Sequence, residues 1–344
     1  MKAFATLLLL IMLAAGLGAW LVYVPYGPSA ATPVDLDIAS GTGSRSIAIQ
    51  LEKAGVIRSR YAFYLLRIFK HGRLEAGEYL FDHPATALEV YSRILRGDVY
   101  TVSVTIPEGY NIFDIADAVD KAGLVPRDRF LAAERSETGL ISDLSPDAAS
   151  LEGYLFPDTY RFPHHATPRQ MLAAMVRRFR KEAAQLGLIQ KDGVPHSSGD
   201  VSRTMSGTDS LTRIVTLASL VEKEVRENDE RPLVAGVFEN RLAKGMPLAT
   251  DPTVIYAALL NDRWRGTIYA SDLKFDSPYN TYIHTGLPPG PICNPGIAAL
   301  KAAISPAPSD YLYFVADARG HSRFSATLQQ HDQQVEDYRR ASHQ

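Results

Sequence analysis

The run Leu211–Val225, LTRIVTLASLVEKEV, places a carboxylate on the apolar side of a helix. At about 100° per residue, Leu211, Ile214, Val215, Ala218, Val221 and Val225 form one stripe, and Glu222 falls inside it between Leu211 and Val215. Lys223 points to the opposite side, and Glu224 lies at the margin beside Leu217 and Leu220, where a solvated or ion-paired role is expected. Burial disfavours the charged form of a carboxyl and raises its pKa. An acid still protonated near neutral pH is what general-acid catalysis requires. A structural glutamate satisfied by an arginine or a backbone group gives the same pattern, so the helix alone leaves both roles open.

The elements around this helix must come from a chain of 344 residues, long enough for two or three domains. Lysine and arginine total 36 against 38 acidic residues, a net charge of −2, and no basic cluster interleaves with aromatics. That balance argues against nucleic-acid binding. Cys293 is the single cysteine, which excludes an internal disulfide and a cysteine-based metal site. The histidines show no metal-ligand spacing and there is no HExxH, so neither a metal nor any other cofactor is expected.

Ala3–Val24 is uncharged and almost wholly apolar. Its 22 residues would span ~33 Å as a helix, against a hydrocarbon core of ~30 Å. Lys2 and the α-amino group precede the span, and the next basic residue is Arg45. The positive-inside rule then keeps the N-terminus cytoplasmic and exports the rest. Trp20 and Tyr23 sit near the outer interface. A cleaved signal peptide ending near Gly16 or Gly18 is the rival, but the apolar run continues beyond that point and favours an uncleaved anchor.

Residues 25–34 are a Pro/Gly/Ala-rich linker. Beyond it, GTGSRSIAIQLEKAG (Gly41–Gly55) and GYNIFDIADAVDKAG (Gly109–Gly123) match at Ile47/Ile115, Ala48/Ala116, Leu51/Val119 and the terminal Lys-Ala-Gly. Each follows a β-like stretch, VDLDI or TVSVTI, and precedes a second helix, Ser59–Phe69 or Pro126–Ala133. The rhythm resembles a LysM-like module that binds N-acetyl sugars; a duplicated spacer that binds nothing fits equally. From Leu151 short motifs rich in aromatics, prolines and polar residues take over. Helices are expected at Pro168–Leu186, Leu211–Glu227, Arg231–Lys244 and Asn294–Ala303, a strand at Asp310–Ala316, and an exposed polar loop at Gln190–Gly207. The fold class expected is α+β: an N-terminal transmembrane helix (1–24), a LysM-like α+β region with an internal repeat (35–150), a mainly helical α+β catalytic domain (151–335) and a C-terminal tail (336–344).

Read in order, LEGYLFPDTY (Leu151–Tyr160), ASLVEKE (Ala218–Glu224), VFENRL (Val237–Leu242), GMPLATDPTVIYA (Gly245–Ala257), SPYNTYIHTGLPPGPICNPG (Ser277–Gly296) and YLYFVADARGHSRFS (Tyr311–Ser325) resemble the MltG-type, YceG-like endolytic murein transglycosylases. The resemblance covers about Val34 to Gln330. It implies a lyase that cleaves the MurNAc–GlcNAc β-1,4 bond of nascent peptidoglycan strands. The MurNAc C6 hydroxyl attacks its own anomeric carbon and leaves a 1,6-anhydro end, which terminates strand elongation. The family's catalytic glutamate aligns with Glu222, the position the helical wheel selects independently. The resemblance also implies a membrane-embedded protein of the inner membrane with a periplasmic body, glycan strands as partner, and association with glycan-polymerising synthases.

On this reading Asn240, Asp251, Thr253, Asn280 and Asn294 offer hydrogen bonds to sugar hydroxyl and acetamido groups. Tyr256, Tyr279 and Tyr282 offer faces for stacking on pyranose rings. Asp251-Pro252 and Asn294-Pro295 also suit helix starts. Glu152, in a loop with Tyr154 and Phe156, is the reserve acid. Ala249 departs from the family, whose members often carry Gln there, so one sugar contact is absent if that Gln makes one. A non-catalytic glycan-binding scaffold, or a hydrolase using Glu152 or Asp251 as second carboxylate, are the competing functions.

Overall fold

A computed structural model describes residues 2–190, 207–225, 227–317 and 321–342. The loop expected at Gln190–Gly207 lies almost wholly outside them. The chain folds as two compact units, Met1–Ser103 with Arg161–His165, and Val104–Tyr160 with Ala166–Gln344.

Unit 1 begins with α1 (Lys2–Tyr23), the one helix among the described residues long and apolar enough to cross a membrane. Strand β1 (Val34–Ile38), helices α2 (Ser44–Lys53) and α3 (Arg60–Phe69), strand β2 (Gly77–Phe81) and helix α4 (Ala87–Arg96) follow. β1 and β2 pair antiparallel from Val34↔Phe81 to Ile38↔Gly77. Alternation sends Tyr79, Phe81 and Ile38 into a core with Ile47, Leu51, Phe63, Val90 and Ile94. Val22, near the end of α1, is buried in the same core.

The chain crosses between units within β3 (Thr101–Thr105) and later within β4 (Thr159–Pro163), which together form a two-stranded sheet. Between them, α5 (Ile112–Lys121) and α6 (Arg127–Ser136) repeat the strand–helix–helix order of β1–α2–α3. Gly55 and Gly123, after α2 and α5, take φ of +71° and +74°, the left-handed stop that a glycine tolerates. The two segments nonetheless part company. The first folds in unit 1, and the second folds in unit 2 with the residues beyond Leu151, so 35–150 is not one compact region.

Unit 2 continues with α7 (Pro168–Gln185), α8 (Gly207–Glu224), α9 (Arg231–Ala243), α10 (Asp251–Leu260), the short α11 (Ala270–Leu273) and α12 (Ile297–Ile304). The hairpin β5 (Tyr313–Ala316)–β6 (Ser322–Ser325) and α13 (Leu328–Ser342) complete it. The residues expected as a tail from 336 are helical to Ser342, steadied by an Arg340–Glu336 pair at i,i+4 spacing. α8 packs against α9, α10 and α12, and Val215–Val221 are buried on every side rather than along one stripe. The expected apolar stripe is thus one sector of a central helix, whose Leu217 and Leu220 face other neighbours.

Candidate active site

Three segments of unit 2 meet at the end of α8. Ser219 anchors the first contact: its Oγ accepts from the Ile292 N–H (3.1 Å), and its carbonyl accepts from the Cys293 thiol (3.3 Å). One turn on, the Gly296 N–H donates to Glu222 Oε2 (2.9 Å). Residues 109–110 close the arrangement, with Gly109 N–H donating to the Asn294 carbonyl (3.0 Å) and Asn294 N–H to the Tyr110 carbonyl (2.9 Å). Lys223, exposed as expected, reaches the Gly109 carbonyl with Nζ at 3.3 Å.

Glu222 is enclosed, with its side chain 4% exposed. Arg231, the first residue of α9, donates Nη2 to Oε1 at 2.8 Å and Nη1 to Oε2 at 3.1 Å. Burial pushes the Glu222 carboxyl above its ordinary value; the Gly296 N–H and the Arg231 guanidinium pull it back, and the nearby Glu108 carboxylate adds to the rise. Burial prevails over the ion pair. The features that the two readings of the helix expect therefore coexist in one residue: an arginine-paired carboxyl that still holds its proton more tightly than in water.

Arg231 and Glu108 escape the sequence reading. Arg231 starts α9 at the end of a polar run, and nothing in its spacing signals that it folds back on α8. Glu108 is exposed, and a side chain on Gly296 would collide with its carboxylate, whose Oε1 lies 1.9 Å from where a Cβ would stand. The glycine of the Asn294-Pro295-Gly296 motif thus leaves room for an acid beside Glu222.

Glu224 differs from its expected solvated role. Burial raises its pKa to about 7, with the Thr250 hydroxyl and Arg241 opposing and Asp251 adding to the shift. The sector beside Leu217 and Leu220 is interior, which is why the wheel misplaced it.

Glu152 is 2% exposed and fully engaged: Oε2 accepts from the Ile112 N–H at the start of α5 (2.9 Å), and Oε1 accepts from Asn294 Nδ2 (2.8 Å). Burial raises its pKa well above the usual range. Asn294 also donates to the Tyr110 carbonyl and accepts from the Leu155 N–H. It does not start α12, whose N-cap is Gly296. Asn280 is likewise buried, donating to the Leu273 and Phe275 carbonyls and accepting from the Tyr282 N–H. Thr253 bonds the Thr250 carbonyl and Thr281. Asn240 donates to the Ser309 and Tyr311 carbonyls.

Tyr256 is buried between Phe113 and Tyr279. Tyr279 lines a cavity of about 500 Å³ together with Glu152, Tyr154, Thr216 and Pro288–Pro291, a cavity whose walls do not include Glu222. Tyr282 and Asp251 remain exposed and bond each other, hydroxyl to carboxylate, at 2.7 Å. Thr250, rather than Asp251, stands at the N-cap position of α10, without a side-chain hydrogen bond to the helix, and Asp251 occupies the first turn where the helix dipole favours an anion. Ala249 has φ +48° and donates its N–H to the Thr281 carbonyl, so its position is fixed by the backbone.

The model of the YceG-like family matches residues 36–337. The chain belongs to the YceG-like family. Among curated relatives, the endolytic murein transglycosylase of Bacillus subtilis is 33% identical over 330 residues, covering 91% of this chain and 87% of its own length. The enzyme of the same name from Streptococcus pneumoniae is 30% identical over 334 residues, covering 89% of this chain and 58% of that protein. A YceG-like protein from Listeria monocytogenes, known from a 2.6 Å crystal structure, superposes with a TM-score of 0.54 at 30% identity, covering 88% of this chain and 98% of that one. All six motifs from Leu151 to Ser325 lie within the stretch matched to the family.

Proposed function

We propose that this YceG-like protein is a lyase, an endolytic peptidoglycan transglycosylase anchored in the inner membrane by α1, with Glu222 as its single acid–base group. The observation that carries the reading is the desolvated Glu222 carboxyl, held by Arg231 and the Gly296 N–H inside unit 2 of a chain whose family relatives bear that activity in their names. Protonated Glu222 gives its proton to the glycosidic oxygen as the MurNAc–GlcNAc bond breaks. The carboxylate then takes the proton of the MurNAc C6 hydroxyl as that oxygen bonds to C1, closing the 1,6-anhydro ring. One group serves twice, and no water is consumed.

A hydrolase needs a second carboxylate at about 5–5.5 Å, or at about 6.5–9.5 Å with a water between. Glu152 is committed to Ile112 and Asn294, which supports the one-acid reading. Exposed Glu108 is the acid through which hydrolysis would run instead. For glycan contact, Asp251, Tyr282, Tyr279 and Asn240 offer the surface, while Thr253, Tyr256, Asn280 and Asn294 hold it from behind. Lys2 before the span supports a cytoplasmic N-terminus and a periplasmic body, an orientation compatible with association with glycan-polymerising synthases.

Mass spectrometry of products from purified glycan strands tests the whole reading. Anhydro ends are expected, and they should persist in Glu108→Gln. Reducing ends lost in Glu108→Gln would establish the hydrolase, and binding without any product would leave a scaffold.

A further inference from the structure

Three side chains of unit 1 converge away from everything the proposed reaction uses. Glu78 on β2 is 3% exposed, and neither carboxylate oxygen meets a hydrogen-bond donor. His164 and His165, in the turn after β4, cover it, and the three donor atoms lie within 4.8 Å of one another. His165 Nε2 stands 3.6 Å from Glu78 Oε1 and 3.9 Å from Asp35 Oδ2. Asp35 pairs with Leu80 across the β1–β2 ladder, so it is the diagonal neighbour of Glu78 on one face. Asp35 is itself an acid and can offer Glu78 only a shared proton.

We propose that Glu78, His164 and His165, with Asp35 as fourth ligand, bind a divalent transition cation of the zinc class. A buried carboxylate without a donor is costly, and a cation bound by two neutral imidazoles removes that cost. Two imidazoles with two carboxylates suit zinc; calcium needs six to eight oxygens, and magnesium a near-octahedral oxygen shell. Contraction of the donors to zinc–ligand distances of about 2.0–2.2 Å falls mainly on the His165 side chain, which is 70% exposed. The bound ion would fasten Arg161–His165, the return of the chain into unit 1, to β1 and β2.

The test is competition for Zn²⁺ between the untagged full-length protein in detergent and a chromogenic chelator. One ion per chain is expected, with His165→Ala and Glu78→Gln each weakening binding at least tenfold and His71→Ala changing nothing. Because His165 is exposed, its variant decides the matter even if Glu78→Gln fails to fold. No uptake by the wild type, or uptake indifferent to His165→Ala, overturns the site.

On α3, Tyr61, Leu65, Ile68 and Phe69, at i, i+4, i+7 and i+8, are all exposed on one side, while Ala62, Phe63 and Leu66 fill the core. Leu65 lies against α1, 3.8 Å from where a Cβ on Gly18 would stand. Gly18 is about 7.5 Å below the end of α1 at 1.5 Å per residue. Arg58 lies over the rings of Trp20 (4.1 Å) and Tyr26 (4.7 Å), as at a membrane interface. We infer that the apolar side of α3 inserts into the lipid leaflet that α1 leaves, at the ~5–10 Å depth typical of interfacial helices. This rests on the proposed anchoring by α1.

Bimane attached at Leu8→Cys, Ile68→Cys, Phe69→Cys and Asp37→Cys, with the full chain in vesicles, reads both claims through quenching by spin-labelled lipid. Native Cys293 is buried and does not compete for label. Quenching at 68 and 69 at least twice that at the exposed Asp37 site is expected. Quenching at Leu8 with none above the Asp37 level at 68 and 69 refutes the docking of α3 alone. None at Leu8 refutes the anchor as well.

Discussion

Glutamine at position 222 removes the transferable proton while keeping nearly the same shape, and glutamine at 224 does the same two residues away. If Glu222 is the acid–base group, Glu222→Gln should lose about 10²–10⁴-fold in rate, roughly 3–5 kcal/mol of barrier. Glu224→Gln should keep activity within a few-fold and act on stability instead. The Glu224 carboxyl rises from an ordinary 4.5 to about 7 in the fold. At pH 4 both folded and unfolded forms are protonated, and the group costs nothing. Between 4.5 and about 7 the unfolded state ionises first, so the penalty on the fold grows, and above 7 it levels off. That gap corresponds to roughly 3 kcal/mol as an upper bound. Glu224→Gln should therefore melt up to roughly 6–12 °C higher than wild type at pH 8 and at the same temperature at pH 4. Glu222→Gln should gain in the same direction but less, because Arg231 loses its buried counter-charge. Anhydro-muropeptide release measured beside melting curves at both pH values checks all four numbers. A Glu222→Gln variant retaining more than a tenth of wild-type activity, or a Glu224→Gln variant losing a hundredfold, would refute the assignment.

Arg231→Met should let the Glu222 pKa climb further, because the contacting guanidinium that lowers it is gone, so the alkaline limb of the pH–rate profile should move upward; an unmoved limb would mean that Arg231 does not govern the acid. Gly153→Ala should cost about 2–5 kcal/mol, since φ is +86° and the new Cβ would stand 2.4 Å from Pro291 and 2.8 Å from Val215. Gly187→Ala, with φ +71° and open space, should cost only about 1–2 kcal/mol, and denaturant titration of both variants reads the difference. If the exposed Asp251–Tyr282 pair contacts glycan, Asp251→Ala and Tyr282→Phe, which each remove one partner of its hydrogen bond, should raise KM for glycan strands about threefold to tenfold with kcat little changed. A fall in kcat at constant KM would place that pair in the chemistry instead.

The sequence carries periodic features well and folded-back partners badly. The span of α1, the starts of α3, α7 and α9, and the buried placement of Glu222 all follow from local pattern. The position of Glu224 does not, because a wheel reports one apolar sector and cannot show that α9, α10 and α12 enclose the helix on other sides. Asn280 and Asn294 look like sugar ligands in a motif-rich loop, yet the backbone around them is irregular and buried, and their amides supply the hydrogen bonds that the missing secondary structure would have made. Arg231 ends a polar run and Glu108 sits in the turn Pro107-Glu108-Gly109, both of ordinary composition, and only the tertiary approach of Gly296 to α8 gives them meaning. The histidine pair at 164–165 has no spacing signature because its carboxylates come from two strands far away in sequence.

The pairing of Glu222 with Arg231 bears on how one carboxyl can serve two steps. An acid needs its proton held firmly before transfer, and a base needs its anion stabilised afterwards; in water one group is poorly suited to both. Here burial supplies the first condition. The guanidinium and the Gly296 N–H, already at 2.8–3.1 Å, supply the second without reorganisation. In the proposed reaction the carboxylate formed on proton transfer would appear between donors that are in place, beside the positive charge developing on the sugar. The Ile292–Gly296 segment fixes those donors, since the Ser219 contacts bind it to α8 and the Asn294 side chain ties it to Glu152. On this account Glu152 acts on the chemistry through three links: it holds Asn294, Asn294 holds the segment, and the segment presents Gly296 to Glu222.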